Sequence, residues 1–340
     1  MASSSVLPSR SSRSRRIRGR IVKAFTFKRE SKRLLLDELG PDNPGTVTEI
    51  RLYSMSVGDD RVWKISQSLR VTSCQVRTLN LSHNCIGENG CFALALAFRE
   101  NSSLERVILG FNDLGPAGIV SLAESFTNNT KTSIRSLALP QTQMSDEGAR
   151  ALANALKQPT SRLQELFLQS NHIGNNGAAC LADALRVNGT LVALDLSDNV
   201  IGDQGINSFL EGVAHNTMLR NLMLGDNRFS LDGLQQLVAL AQRNSTLQIL
   251  DVRAHHQYDR ITALMRDPDL HALAADDRQA KHALMYKQIS YYMTLNQSGR
   301  RLIQSNPHPG LLPYLLSHSQ WNSDVLYGLI QEQPHLFSSS

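Results

Sequence analysis

From residue 47 to residue 254, hydrophobic and polar positions follow one figure, restated about eight times. Its clearest copy is Val76-x-x-Leu79-x-Leu81-x-x-Asn84-x-Ile86-Gly87-x-x-Gly90-x-x-x-Leu94. That string returns as Leu104-x-x-Val107-x-Leu109-x-x-Asn112-x-Leu114-Gly115-x-x-Gly118. Copies begin at Val76, Leu104, Ile134, Leu163, Leu191 and Leu219, with a truncated one at Leu247 and a degenerate one at Val47. The six intervals from Val76 to Leu247 span 171 residues, a mean period of 28.5, which marks a repeat array and not a set of independent cores.

Each unit predicts a strand, a turn and a helix. In the L-x-x-L-x-L stretch Leu79 and Leu81 share one face while Thr78, Asn80 and Ser82 take the other, the period of a short strand. The Asn that follows (Asn84, Asn112, Asn171, Asn199, Asn227) stands at the turn, where an inward carboxamide satisfies backbone groups that the stack buries. Glycines such as Gly174 and Gly177 relax that turn and let a helix begin close by. Ala178, Leu181, Ala182 and Leu185 then recur at helical spacing before Asn188-Gly189 closes the unit. No unit buries both its strand and its helix alone, so stability must come from stacking, with the strands pairing in parallel.

The pattern L-x-x-L-x-L-x-x-N-x-I-G-x-x-G resembles the leucine-rich repeat of the ribonuclease-inhibitor type, shared by immune-receptor repeats and the Ran GTPase-activating protein. The resemblance implies an α/β horseshoe solenoid, parallel strands inside and helices outside, to which the residues beyond 255 add an all-α cap at the C-terminal end. Two departures stand out. The unit at Ile134 has Pro140-Gln141-Thr142 where Asn is expected at 142, which predicts an irregular strand edge, and His255 at the equivalent position predicts the end of the array.

In such a horseshoe the outward strand positions line the concave face. The middle series runs Arg51, Asn80, Ile108, Ala138, Phe167, Asp195, Met223, Asp251. Ile108, Phe167 and Met223, with Phe111 one step beyond a strand, put apolar side chains on a surface that should be polar, and Arg106 and Glu165 add charge at the rim. An apolar anchor in a polar surround is how protein interfaces are organised, so these residues with Asp195 and Asp251 form the candidate partner-binding face. The competing reading is that each is an isolated surface residue or is covered by the C-terminal segment. Asp195, Asp198, Asp226 and Asp251 make one end acidic, either a site for a basic partner or a solvated edge.

Composition changes this picture only at the ends. The formal charge of +5 divides into eleven Lys/Arg against the single acid Glu30 in residues 1–33 and a net −5 beyond. Residues 1–45 therefore read as a basic, Ser/Arg-rich tail without structure. Arg13, Arg15, Arg16, Arg18 and Arg20 form its localisation or anion-binding segment, a solvated tail, a nuclear or anionic-surface address (nucleic acid included), or an organellar presequence. Residues 255–340 lose the repeat, gain six of the seven tyrosines and predict a long helix near 269–296, with shorter ones near 309–317 and 324–332, a segment that would cover the open end of the last repeat.

Catalytic patterns are missing from the sequence. It has no Gly-Lys dipeptide and hence no phosphate-binding loop, no H-E-x-x-H or G-x-S-x-G string, and its only adjacent histidines are His255-His256, which cannot share a helix face. Cys74, Cys85, Cys91 and Cys180 fit no zinc spacing, and no apolar run reaches the roughly 18 residues of a membrane span. Residues 1–20 lack the apolar core of a secretory signal, so the cysteines are expected reduced and sequons such as Asn101-Ser102-Ser103 and Asn188-Gly189-Thr190 unmodified. The sequence thus predicts a non-enzymatic, cofactor-free, monomeric intracellular scaffold, cytoplasmic or nuclear, that binds another protein. The alternative is a GTPase regulator of the Ran type, although residues 255–340, with seven basic and seven acidic side chains, offer no acidic tail.

Overall fold

The computed structural model describes residues 20–23, 47–127, 129–253, 263–266, 270–274 and 277–297. Among these residues nine strands form one parallel sheet in chain order: β1 (Arg20–Lys23), β2 (Val47–Arg51), β3 (Thr78–Asn80), β4 (Arg106–Ile108), β5 (Ser136–Ala138), β6 (Glu165–Phe167), β7 (Ala193–Asp195), β8 (Asn221–Met223) and β9 (Ile249–Asp251). A helix follows each strand from β2 to β8: α1 (Gly58–Leu69), α2 (Glu88–Glu100), α3 (Gly115–Glu124), α4 (Asp146–Leu156), α5 (Asn175–Leu185), α6 (Asp203–Val213) and α7 (Leu231–Arg243). Each helix packs on the next, so strands make one layer and helices the other, the architecture of a horseshoe solenoid. β1 lies inside the basic N-terminal segment, where the sequence reading placed no element; it pairs with β2 with a register irregularity between Arg20 and Ile21.

The core lies between the layers. Leu79, Leu81, Val107, Leu109, Leu137, Leu139, Leu166 and Leu168 are fully buried, and so are Ala178, Leu181 and Leu185 of α5. At about 25 cal/mol per Å² of apolar surface, these side chains are the main source of stability, and each is buried only because a neighbouring repeat is present.

Three polar ladders stitch the repeats. The first is the turn asparagine. Asn112 Oδ1 accepts the N–H groups of Asn84 (2.8 Å) and Ile86 (3.1 Å) in the preceding unit, while its Nδ2 donates to the carbonyls of Leu81 (2.9 Å) and Leu109 (2.8 Å). The second runs along the C-terminal ends of the helices: Asn101, Asn188, Asn216 and Asn244 donate through Nδ2 to Leu69, Leu156, Leu185 and Val213 of the preceding helix. All four are buried. Asn101 and Asn188 belong to the sequons, and in the folded chain their amide nitrogens are engaged inside the stack, closed to glycan attachment. In the third, the first-turn Asp or Asn of one helix caps the next: Asp59 accepts from Gly87 N–H (2.8 Å), Asp146 from Gly174 (2.6 Å), Asn175 from Gly202 (2.7 Å) and Asp203 from Ser230 (2.7 Å).

That third ladder explains the second glycine of G-x-x-G. Gly87, Gly174 and Gly202 have φ near −100°, so the backbone there is not left-handed. Left-handed backbone recurs in every turn instead, at Ser54, His83, Phe111, Gln141, Ser170, Asp198 and Asp226, with Ser56, Gly58, Cys85, Gly115 and Gln143 as further left-handed positions in the first four units. Gly177 is needed for close approach, since a Cβ there would stand 2.6 Å from Asp146 Oδ1.

At Thr142 the first ladder is incomplete. β5 pairs on both sides in unbroken register, so the strand edge expected to be irregular is regular. The defect lies in the turn: Thr142 Oγ1 donates to Leu139 O (3.1 Å), but a hydroxyl cannot reach the backbone groups a carboxamide would span. Among the described residues, the N–H groups of Asn112 and Leu114, which Asn84 and Ile86 would parallel, have no acceptor. Thr142→Asn is therefore expected to raise stability by about 1–2 kcal/mol, at roughly 1 kcal/mol per recovered hydrogen bond, read as a shifted urea midpoint at constant slope.

The long helix expected over 269–296 is two helices, α8 (Leu270–Leu273) and α9 (Arg278–Gln297). The break has a local cause: the Asp277 N–H closes the first helix on Leu273 O (3.0 Å), and its side chain accepts from Gln279 N–H (2.9 Å) as the cap of the second. Ala280, Ala283, Tyr286, Ile289 and Met293 form the buried stripe of α9 against α7 and β9. Asn296 prolongs the second ladder by donating to Asn244 O (3.0 Å) and Leu247 O (2.7 Å), so α9 docks as a further repeat would. The helices expected near 309–317 and 324–332 lie outside the described residues, as do His255 and His256.

Candidate functional site

The concave series read from the sequence is one register ladder. Arg51 stands opposite Asn80, and the pairing continues through Ile108, Ala138, Phe167, Asp195 and Met223 to Asp251. Ile108, Phe167 and Met223 are half-buried, flanked along the row by Asn80, Ala138 and Asp195. A second row, one pleat away, runs Glu49, Thr78, Arg106, Ser136, Glu165, Ala193, Asn221, Ile249. Arg106 and Glu165 thus share a row, two strands apart. Ile249, 46 % exposed in that row, is an apolar member the sequence reading passed over.

Phe111 belongs to the turn. Its left-handed backbone (φ 58°) holds the ring 44 % exposed at the end of β4. His83 occupies the same position one repeat earlier and stacks on Phe111 with ring centroids 4.1 Å apart and planes 11° apart; Tyr53, 56 % exposed, meets His83 edge-on at 4.9 Å. These three rings make an aromatic shelf along the concave edge of the first repeats. The signal for His83 was the 28-residue offset from Phe111; Tyr53 stands outside that offset and is brought in by the turn itself.

The acidic end is less exposed in charge than in composition. Asp251 accepts from Arg253 Nε (3.0 Å) and Nη2 (3.2 Å), and Asp195 accepts from the Ser197 N–H (2.9 Å). Beside it, burial pushes the Tyr286 hydroxyl up to about 12, with the Asp251 carboxylate adding to the effect, and that hydroxyl donates to Val252 O (3.2 Å). Opposite the shelf, the N-terminal ends of β2–β6 border a groove of about 590 Å³ whose charged lining is Glu49, Arg77, Glu105, Arg106, Arg135 and Glu165. Arg13, Arg15, Arg16 and Arg18 lie outside the described residues, and Arg20 is in β1.

Among the described residues, no group of three His, Cys, Asp or Glu side chains could hold a metal ion, and no helix is long and apolar enough to cross a membrane. Cys74, Cys85, Cys91 and Cys180 are free thiols. Burial, reinforced by Asp59 and Glu88, pushes the Cys91 thiol up to about 12, so it stays protonated and donates to Gly118 O (3.1 Å).

The family described as Leucine Rich repeat matches residues 72–95, 100–123, 162–182 and 187–210. Ribonuclease inhibitor of Mus musculus is 29 % identical over 180 residues, 45 % of this chain and 40 % of that protein. NACHT, LRR and PYD domains-containing protein 12 of Mus musculus is 29 % identical over 177 residues, 44 % of this chain and 17 % of that protein. Protein 14 of the same name and organism is 34 % identical over 148 residues, 43 % of this chain and 15 % of its own length. The chain therefore spans less than half the length of these relatives.

Proposed function

We propose that this chain, a leucine-rich-repeat protein of the ribonuclease-inhibitor type, is a non-enzymatic scaffold that grips another protein on its concave face. Repeats of this kind form a protein-interaction scaffold, and a solenoid offers an extended curved surface built by repetition. The observation that carries the reading is the register row itself: Ile108 and Phe167 hold apolar side chains half-buried in a polar strand surface, two strands apart. Apolar anchors within a polar rim are what a partner desolvates with the greatest gain. The basic N-terminal segment then addresses the protein, and the near-neutral repeats bind.

The test is affinity capture from the source cell with the full chain, read by quantitative mass spectrometry. Ile108→Ala combined with Phe167→Ala is expected to lower recovery of the partner at least about tenfold, the loss of one or two anchor side chains, while the melting temperature hardly moves. Val187→Ala, 70 % exposed beyond α5, serves as the control and leaves capture unchanged. Undiminished capture by the double variant overturns the concave reading. The GTPase-regulating alternative predicts instead that the chain accelerates GTP turnover.

A further inference from the structure

We infer that the concave floor over β3–β6 recognises a carboxylate-bearing segment of its protein partner, seated between Arg106 and Arg135 with an apolar side chain leading toward Ile108 and Phe111. This deepens the proposed function and rests on it.

Three arginines and three glutamates line the groove of about 590 Å³, but they do not cancel evenly. Arg77 is hydrogen-bonded to Glu105 (3.4 Å), and Glu49 forms an ion pair with Arg51 (2.8 Å). What remains is Arg106, Arg135 and Glu165. Among the described residues neither Arg106 nor Arg135 has a carboxylate within ion-pair distance, and both are exposed to the groove.

Both cations line the same groove, Arg106 from β4 and Arg135 from the residue just before β5. Arg106 on β4 is in register with Ser136, the residue after Arg135, and neighbouring strands lie about 4.8 Å apart. An anion that enters the groove and accepts from both guanidinium groups gains charge-assisted, bidentate hydrogen bonds. The hydroxyl residues Thr78 and Ser136 flank Arg106 in register on either side, completing a donor-rich floor.

Direction follows from the rest of β4. Ile108 lies two residues beyond Arg106, roughly 7 Å along the strand, and Phe111 follows in the turn beyond β4, so the partner's apolar anchor sits within a few residues of its acid. Glu165, also without an ion pair among the described residues, stands two strands from Arg106 in the same row, about 10 Å away. It disfavours a second carboxylate over β6 and favours a neutral or basic residue there. The recognised segment is therefore acidic over β4–β5, apolar toward the strand ends and non-acidic over β6.

The probe is a displayed library of random twelve-residue peptides selected on the purified full chain. Enriched peptides are expected to share one Asp or Glu with an aromatic or branched apolar residue two to five positions away. Their affinity should fall at least tenfold in Arg106→Gln combined with Arg135→Gln, and weaken with added salt. Arg106→Glu with Arg135→Glu should instead enrich Lys- and Arg-containing peptides. Unchanged melting temperatures show that both pairs remain folded, as expected for exposed side chains. A selection yielding no common peptide, or one without an acid, overturns the inference. So does binding that survives the glutamine pair; if that binding is lost in Ile108→Ala with Phe167→Ala, the concave reading stands and only the acidic specificity fails, whereas binding that survives every variant overturns both.

Discussion

Asn171→Ala is expected to destabilise the chain by about 4 kcal/mol, more than any change on the concave surface. Asn171 is 5 % exposed, and its Oδ1 accepts from the N–H groups of Thr142 (3.0 Å) and Met144 (3.0 Å), which have no other acceptor among the described residues. Its Nδ2 donates to Leu139 O (2.9 Å) and Leu168 O (3.0 Å), yet those carbonyls keep second donors in Thr142 Oγ1 and Asn199 Nδ2. The penalty therefore comes chiefly from two orphaned buried N–H groups, at roughly 1–3 kcal/mol each, with the cavity adding a further term. Because repeats couple only to their neighbours, the loss should be local: amides of α4 and α5 should exchange with solvent sooner, while α1 and α2 retain their protection. Urea unfolding with hydrogen exchange by mass spectrometry checks both parts. A drop below 1 kcal/mol would show that the turn finds another way to satisfy its backbone. The Thr142 unit makes the comparison sharper, since the same two donors already go unsatisfied there and the fold tolerates it.

How much of this could be read from residues alone depended on how local the cause was. The strands and the turn asparagine were legible because period-two burial and an obligatory carboxamide are both written within nine residues, as in Val76 to Asn84. The second ladder was not, because Asn188-Gly189 reads equally as an ordinary helix stop; only stacking shows its Nδ2 reaching Leu156. The break at Asp277 was hidden by apolar spacing that runs through it, and a capping side chain overrode that spacing. On the candidate face, the Ile108–Phe167 row followed from the period. The aromatic shelf did not: it needs a left-handed turn to bring Tyr53 to His83. Which of the groove arginines are paired was likewise invisible, since Arg77 and Arg135 occupy equivalent positions in their repeats and only one meets a carboxylate.

Gly212→Ala tests whether helix spacing, and with it the curvature of the concave face, is set by close backbone approach. Helical propensity favours alanine over glycine by about 1 kcal/mol, so a loosely packed position would gain stability. Gly212 lies on α6 against α5, where a Cβ would stand 2.3 Å from Ala182 O and 2.7 Å from its carbonyl carbon. These are backbone atoms, which cannot swing aside as a side chain does, so the two helices must separate by about 1 Å to restore ordinary contact. Overpacking of this kind costs about 1–3 kcal/mol and more where backbone must shift, so the net expected loss is about 3 kcal/mol. The parallel strands on the other face are held at fixed spacing by their hydrogen bonds, and prying the helices apart therefore bends the solenoid at β6 and β7 instead of expanding it evenly. Phe167 and Asp195 sit on those two strands, opposite each other in register. The variant should consequently lose partner affinity as well as stability, although residue 212 is on the helical side. Gly189→Ala is the control: nothing lies within 4 Å of its Cβ, and a neutral or slightly stabilising result is expected. If Gly212→Ala proves as stable as Gly189→Ala, α5 and α6 part freely and the curvature that presents Phe167 is compliant; if it is destabilised with affinity intact, the face does not depend on the spacing behind it.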